Sequence, residues 1–218
     1  MTLKENYLNE IGLLKNERIE RVVEAAKIEF SLNGLKNSKL RVIAKRAKVG
    51  EASIYRYFID KDELIKIVAQ SYWQEYANTF DDYYYGHVVN KKTGIDKVET
   101  ALNIFHHLYK NHKDFLKFVE NFDNYYANEK IEVDENSFHQ VIYDLKRRFA
   151  SIFEEGIKDG SINPNFDGGE QYSFISQVLV ATTQKLSANL GKVPEFDDEY
   201  AKKCISTLIA MFIKYVKN

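Results

Sequence analysis

Residues 39–47 and 51–58, "KLRVIAKRA" and "EASIYRYF", carry helical periodicity in pieces of nine and eight residues, separated by only "KVG". Helices this short are not stable alone in water. Each must therefore bury its apolar side against a neighbour. The available neighbour is the stretch 17–33, where Ile19, Val22, Val23, Ala26 and Phe30 recur at spacings of three and four. The three segments are expected to pack as one unit around Val23, Ala26, Phe30, Ile43, Ala44, Ile54 and Phe58. Asn16 and Ser38 are the expected caps of the first two helices, and Gly34 is expected to end the first in a left-handed turn.

The following helix has a well-marked start. Asp60 is placed to cap it, Glu63 lies three residues on, and Ile59 and Leu64 are spaced to staple across the cap. It is expected to run to about Tyr84, after which Gly86 and "NKKTG" mark a loop. Further helices are expected at about 95–111, 113–127, 134–158, 169–189 and 197–216, with breaks at "ANEKIEV", "DGSINPNFDGG" and "LGKVPEF". Leu3, Tyr7, Ile11 and Leu14 share one face of a possible short extra helix in residues 1–15. Two prolines and ten glycines in 218 residues, and few stretches of period-two alternation, argue for helices over sheet, so an all-α fold is expected.

Net charge is −1, but its distribution is uneven. Residues 34–61 hold eight Lys/Arg against Glu51 and Asp60, a net +6, while the other 190 residues carry −7. A small basic patch on an acidic body is the electrostatic footprint of a nucleic-acid module joined to something else. The single cysteine, Cys204, excludes a disulfide framework. No signal peptide is legible in "MTLKENYLNEIGLL", and the run "LIAMFI" is too short to span a bilayer, so a cytoplasmic protein without a membrane partner is expected.

Two helices joined by a tight turn, the second one short, form a helix-turn-helix, whose second helix enters the DNA major groove. With Ile54 and Phe58 turned inward, Glu51, Ala52, Ser53, Tyr55 and Arg56 are left on the outer side. Small Ala52 and Ser53 permit close approach to base edges, and Tyr55 and Arg56 have the reach for phosphates. From Arg18 to Leu64 the chain resembles the amino-terminal domain of the TetR family of bacterial regulators. Ala26, Phe30, Gly34, Ser38, Ile43, Ala44, Ala47, Val49, Ser53, Tyr55, Phe58, Lys61 and Leu64 fit the family's pattern in register. The resemblance implies nine or ten helices, a homodimer, a palindromic double-stranded operator, repression, and release by a small molecule. Matched position by position, it implies DNA contacts from Arg41, Glu51, Ala52, Ser53, Tyr55, Arg56, Tyr57 and Lys61, with Lys39 nearby.

There are departures from the pattern. Lys48 stands where the family's turn has glycine; at positive φ a lysine there costs roughly 1 kcal/mol. Gly50 replaces the usual polar cap of the reading helix, and Glu51 turns an acid toward DNA, where it can accept from cytosine N4. Lys61 sits in a first helical turn, where a cation is disfavoured unless a phosphate joins it.

The expected division is a DNA-binding domain over 1–60, with its extension 1–15, and a ligand-binding and dimerisation domain over 61–218. The second part is rich in large aromatics. Trp73, Tyr76, Phe105, Tyr109, Phe122 and Phe149 are the expected walls of a pocket for a small hydrophobic or aromatic effector. The apolar stripes of the last two helices, with Ile175, Leu179, Thr182, Leu186, Ile205, Leu208 and Phe212, are the expected two-fold interface. His106, His107 and His112 lack the i, i+4 spacing of a helical zinc site, so no metal is expected, and no motif for catalysis or a cofactor is present. Two other readings remain at this point: a helical lipid- or small-molecule-binding protein with a vestigial helix-turn-helix, and a helical enzyme.

Overall fold

The structure, a computed structural model, describes residues 3–127, 135–189 and 197–218. Helices α1 (Leu3–Asn37), α2 (Leu40–Ala47), α3 (Glu51–Tyr57) and α4 (Lys61–Tyr83) are followed by a π-helical turn, Tyr84–Val88. Then come α5 (Gly94–Leu102), α6 (Ile104–Asn111), α7 (Lys113–Ala127), α8 (Glu135–Lys158), α9 (Gly168–Asn189) and α10 (Asp198–Val216). Among the described residues the only extended pairing is one isolated bridge between Ile162 and Lys217. The expected breaks "ANEKIEV" and "LGKVPEF" and the side chains of residues 3–13 lie largely outside what is described.

The chain divides into two compact units, one reaching Tyr72 and resuming at Asn121, the other spanning Trp73 to Glu120 and resuming with α8. The boundary expected at 60/61 instead falls about halfway along α4, after Tyr72. The cause is the first half of that helix: Leu64, Ile65, Val68, Ala69 and Tyr72 are all buried, and they complete the first unit's core instead of starting a new one.

In the first unit all seven expected core residues are buried, from Val23 to Phe58. Several local expectations are corrected. The extension is not a separate helix but the start of α1, so Asn16 lies inside that helix and caps nothing. Gly34 does take positive φ (72°), but with ψ 165° it kinks the chain and one further helical turn follows. Ser38 does not cap α2; its hydroxyl donates to Gly34 O (2.6 Å) and Glu29 O (3.2 Å), fastening the kink. Asp60 does cap α4, accepting from Glu63 N–H at 2.8 Å, and Glu63 reaches back to Ile59 N–H. The staple is absent, because Leu64 is buried while Ile59 is 82% exposed. One buried acid was not foreseen. Glu29, 3% exposed, accepts from Asn33 (2.8 Å) and faces the Arg46 guanidinium at 3.8 Å, which ties α1 to α2.

The turn between α2 and α3 closes as a Schellman motif. Val49 N–H donates to Ala44 O (3.0 Å) and Lys48 N–H to Lys45 O (3.2 Å). Lys48 occupies the left-handed position at φ 55°, ψ 43°. A lysine pays there the steric penalty that glycine escapes. Lys48→Gly is expected to stabilise the protein by about 0.5–1 kcal/mol, raising the midpoint of a thermal melt by a few degrees; an unchanged or lower midpoint would show that the turn relaxes around the lysine.

In the second unit, the helix expected over 95–111 is broken at Asn103, whose side chain donates to Glu99 O at 2.9 Å. Helices α5 and α8 meet at two glycines: a Cβ built on Gly94 would lie 2.0 Å from Gly156 N. The "DGSI" turn after α8 locks this corner. Asp159 accepts from Gly94 N–H (2.7 Å) and Ser161 N–H (2.9 Å), Gly160 takes φ 79°, and Ile162 is fully buried. Bonds from the Ser161 hydroxyl and backbone and from Gly94 hold the Asp159 carboxyl below its ordinary value. Asn163 N–H donates to Val216 O (2.9 Å), so the same turn also anchors the end of α10.

Candidate nucleic-acid interface

Helix α3 turns Ile54 into the core, and Phe58 follows it there. That leaves Glu51, Ala52, Tyr55 and Arg56 exposed and Ser53 and Tyr57 half-buried. Lys39 and Arg41, at the start of α2, are exposed as well. Gly50 caps α3 with extended backbone (φ −69°, ψ 145°) and no side-chain bond. The helix is thus held by its packing and by the Phe58 N–H bond to Ile54 O at 2.8 Å. All the residues expected to face DNA lie in the first unit, and none of the outward ones on α3 is spent on the core.

Lys61 has a structural task in the free protein. Its ammonium donates to Lys36 O at 3.0 Å, at the carboxy end of α1, where a cation is favoured by the helix dipole. Burial pushes its pKa down, and Asp62 opposes the shift. One of three N–H groups is used, which leaves two for an anion. Arg56 Nη2 donates to the Tyr57 hydroxyl at 3.3 Å. That bond is the largest cause of a lowered phenol pKa at Tyr57, acting against burial, and Arg18 pulls in the same direction. Arg18 and its neighbour Lys15 were not foreseen as part of this surface. Part of the signal was available, since Arg18 lies within the periodic stretch 17–33, but Lys15 precedes that stretch and joins the surface only through a continuous α1.

The pocket residues are placed less uniformly. Trp73, Tyr76, Phe105, Tyr109 and Phe149 belong to the second unit and Phe122 to the first. Trp73 and Tyr76 gather around Phe115, with ring centroids 5.4 and 5.3 Å away. Phe149 lies 5.3 Å from Tyr172. Burial raises the phenol pKa of Tyr76 and of Tyr172, and for Tyr172 the proximity of Tyr76 adds to it. Tyr109 is a structural pin: it donates to Asp198 at 3.0 Å, and burial followed by that bond raises its phenol to about 12. Three buried polar atoms on α9, Gln171 Oε1, Gln184 Nε2 and Ser187 Oγ, have no hydrogen-bond partner.

The expected two-fold interface needs correction. Ile175, Leu179, Ile205 and Phe212 are at most 3% exposed, and Leu186 is buried too, all within the chain's own core. Thr182 and Leu208 are half-buried. The large apolar side chains of these helices that do face outward are Phe174 on α9 and Tyr200, Met211 and Tyr215 on α10. The histidines also serve local ends. His106 lies 3.0 Å from the Ser206 hydroxyl, and the His107 and His112 rings are 5.6 Å apart. Among the described residues no three His, Cys, Asp or Glu are grouped to hold a metal, and no helix is long and apolar enough to cross a membrane.

Residues 22–68 match the family model of bacterial regulatory proteins, tetR family. A curated relative, the uncharacterized HTH-type transcriptional regulator YhgD of Bacillus subtilis (strain 168), is 26% identical over 152 residues, which is 68% of this chain and 73% of that protein. Among solved structures, the chain is similar to the transcriptional regulator FadR from Bacillus subtilis in complex with stearoyl-CoA, with a TM-score of 0.63, 18% identity, and 88% of this chain and 97% of that one covered. It is similar also to the ketosteroid transcriptional regulator KstR2 of Mycobacterium tuberculosis, with a TM-score of 0.63, 15% identity, and 92% and 95% covered. At these identities the structures show the fold alone. With that fold over most of its length, the chain carries in residues 22–68 the helix-turn-helix segment of the tetR family of bacterial regulatory proteins.

Proposed function

We propose that the chain is a homodimeric repressor that reads a palindromic operator with α3 and is released from it by a small, largely apolar molecule. The observation that carries the reading is α3 itself: a seven-residue helix with its one buried side chain, Ile54, toward the core and an unspent outer face. In this reading Arg41 and the turn Glu51, Ala52, Ser53 meet base edges. Tyr55, Arg56, Tyr57 and Lys61 take phosphates, with Lys39 close by. The partner subunit sits on the outer face of α9 and α10, through Phe174, Thr182, Leu208, Met211 and Tyr215. A vestigial helix-turn-helix is disfavoured, since a surface freed from DNA would have no need of its net +6 segment.

The effector is assigned to the second unit. Its support is the aromatic group of Trp73, Tyr76 and Phe115, together with the unpartnered polar atoms of α9, which an amphipathic ligand would satisfy. The stearoyl chain of the stearoyl-CoA in the similar FadR structure has this apolar character, and the similar KstR2 is named a ketosteroid transcriptional regulator. Helix α4 carries Lys61 at one end and Trp73 and Tyr76 beyond its middle. A ligand that moves this helix changes the placement of both reading helices, and a coupling of about 1–3 kcal/mol lowers operator affinity 5- to 150-fold. Trp73 is the only tryptophan. Titration with long-chain acyl and sterol compounds is expected to change Trp73 emission and to release operator over the same concentration range. Compounds that change the emission and leave operator affinity intact would break the link.

A further inference from the structure

We propose that Lys15, Arg18, Arg56 and Tyr57 form a second anion site that grips a DNA backbone phosphate beside the groove read by the amino end of α3. It rests on the DNA-binding reading and goes beyond it, because two of the four residues precede the segment matched to the family, 22–68.

The site is a cleft of about 390 Å³ lined by Leu14, Lys15, Arg18, Arg56 and Tyr57. Three cations thus converge where, among the described residues, no acid does. Among the described residues none of the three forms a salt bridge, and all are exposed. Among the described acids of α1, Glu17, Glu20 and Glu24 line a different groove, together with Arg21, Arg46 and Lys48. Like charges held together without a counter-charge repel one another, and an arriving phosphate removes that repulsion.

The donors are also arranged for an oxygen-rich anion. The Arg56 guanidinium sits 5.2 Å from the Tyr57 ring centroid and donates one N–H to its hydroxyl oxygen. Because that oxygen accepts, the Tyr57 O–H proton stays free to donate outward. The lowered phenol pKa, set by Arg56 against burial, reports the same positive field. Guanidinium forks match the oxygens of a phosphate better than an ammonium does. The cleft is open and adjoins the reading helix, which favours a backbone phosphate over an enclosed small anion.

The test uses the full chain and a fluorescein-labelled duplex of random sequence, with affinity measured between about 50 and 200 mM salt. Arg18→Ala is expected to flatten the plot of log affinity against log salt by about one unit, and Arg18→Lys to keep most of the slope. Arg18 is exposed, so both variants are expected to melt with wild type. An Arg18→Ala protein with wild-type slope and affinity would overturn the site while leaving DNA binding by α3 intact. A wild type that fails to bind the duplex would instead overturn the DNA-binding reading with it. Inorganic phosphate that displaces duplex from wild type, at matched ionic strength, but not from Arg18→Ala would identify a free phosphate as the ligand and overturn the backbone assignment.

Discussion

Gly94→Ala is expected to lower the melting midpoint by roughly 10 °C, because its Cβ would meet the closest obstacle of any described glycine. The Cβ it adds would sit 2.0 Å from Gly156 N and 2.2 Å from Gly156 Cα. Both are backbone atoms of a long helix, so no side chain can swing away. Helices α5 and α8 must separate, and the bond from Gly94 N–H to Asp159 and the burial of Val98 and Ile152 are disturbed together. Overpacking of this kind costs about 3 kcal/mol, at the upper end of what small-to-large changes do; for a chain of this size each kcal/mol moves the midpoint by about 2–4 °C. Gly156→Ala is expected to cost less, because its nearest obstacle is the Ile162 side chain, at 2.5 Å. Gly86→Ala is the control: nothing lies within 4 Å of its Cβ and its φ is not positive, so the midpoint holds or rises slightly. Gly94→Ala melting with wild type would mean that the α5–α8 crossing is wider than described.

Met211→Glu is expected to split the dimer and, with it, operator binding. Met211 is 64% exposed, and Phe174 and Tyr215 on the same two helices are each 58% exposed. A carboxylate there leaves the chain's own core intact but would be buried without a partner in a two-fold interface, twice over. Sedimentation should then give a mass near 25.5 kDa rather than about twice that. A monomer keeps one reading helix and loses the gain from holding two half-sites at once, a factor of about 10²–10⁴ in affinity. Leu208→Glu is a poorer probe, since Leu208 is packed against the core and the substitution would unfold as well as dissociate. A Met211→Glu protein that remains dimeric would move the interface away from this face.

What the sequence disclosed and what it hid follow one division. Periodicity placed Ile43, Ala44, Ile54 and Phe58 inward, because in short helices the inward positions are few and the alternatives are charged. The left-handed turn at Lys48 was legible only through the glycine that the resembled family has at that position. Hidden were features set by distant partners. Gly94 reads as a loop glycine, since nothing near it in sequence shows that Gly156 will lie against it. Ser38 reads as a cap until the kink at Gly34 brings two carbonyls to its hydroxyl. Ile59 reads as a staple, but Leu64 finds a better place in the core. The apolar stripes of α9 and α10 were visible, yet a stripe's width does not say which edge faces a partner. The residues at its centre, such as Leu179 and Ile205, are claimed by the chain itself. The basic cleft was missed because α1 was expected to begin near residue 17, which left Lys15 outside it, and because nothing near Arg18 in sequence shows that Arg56 and Tyr57 will lie beside it.

The claim that α3 reads a two-fold operator is tested most directly by selecting sites from a random duplex pool, with wild type and with a Glu51→Ala, Ser53→Ala double variant in parallel. The wild type is predicted to enrich a palindrome whose half-site centres lie about 10 base pairs, or a multiple of that, apart. The double variant is predicted to enrich a palindrome of the same spacing with changed bases in each half-site, by about 1–3 kcal/mol per lost contact. No enrichment by the wild type, or the same sequence enriched by both proteins, would contradict the account.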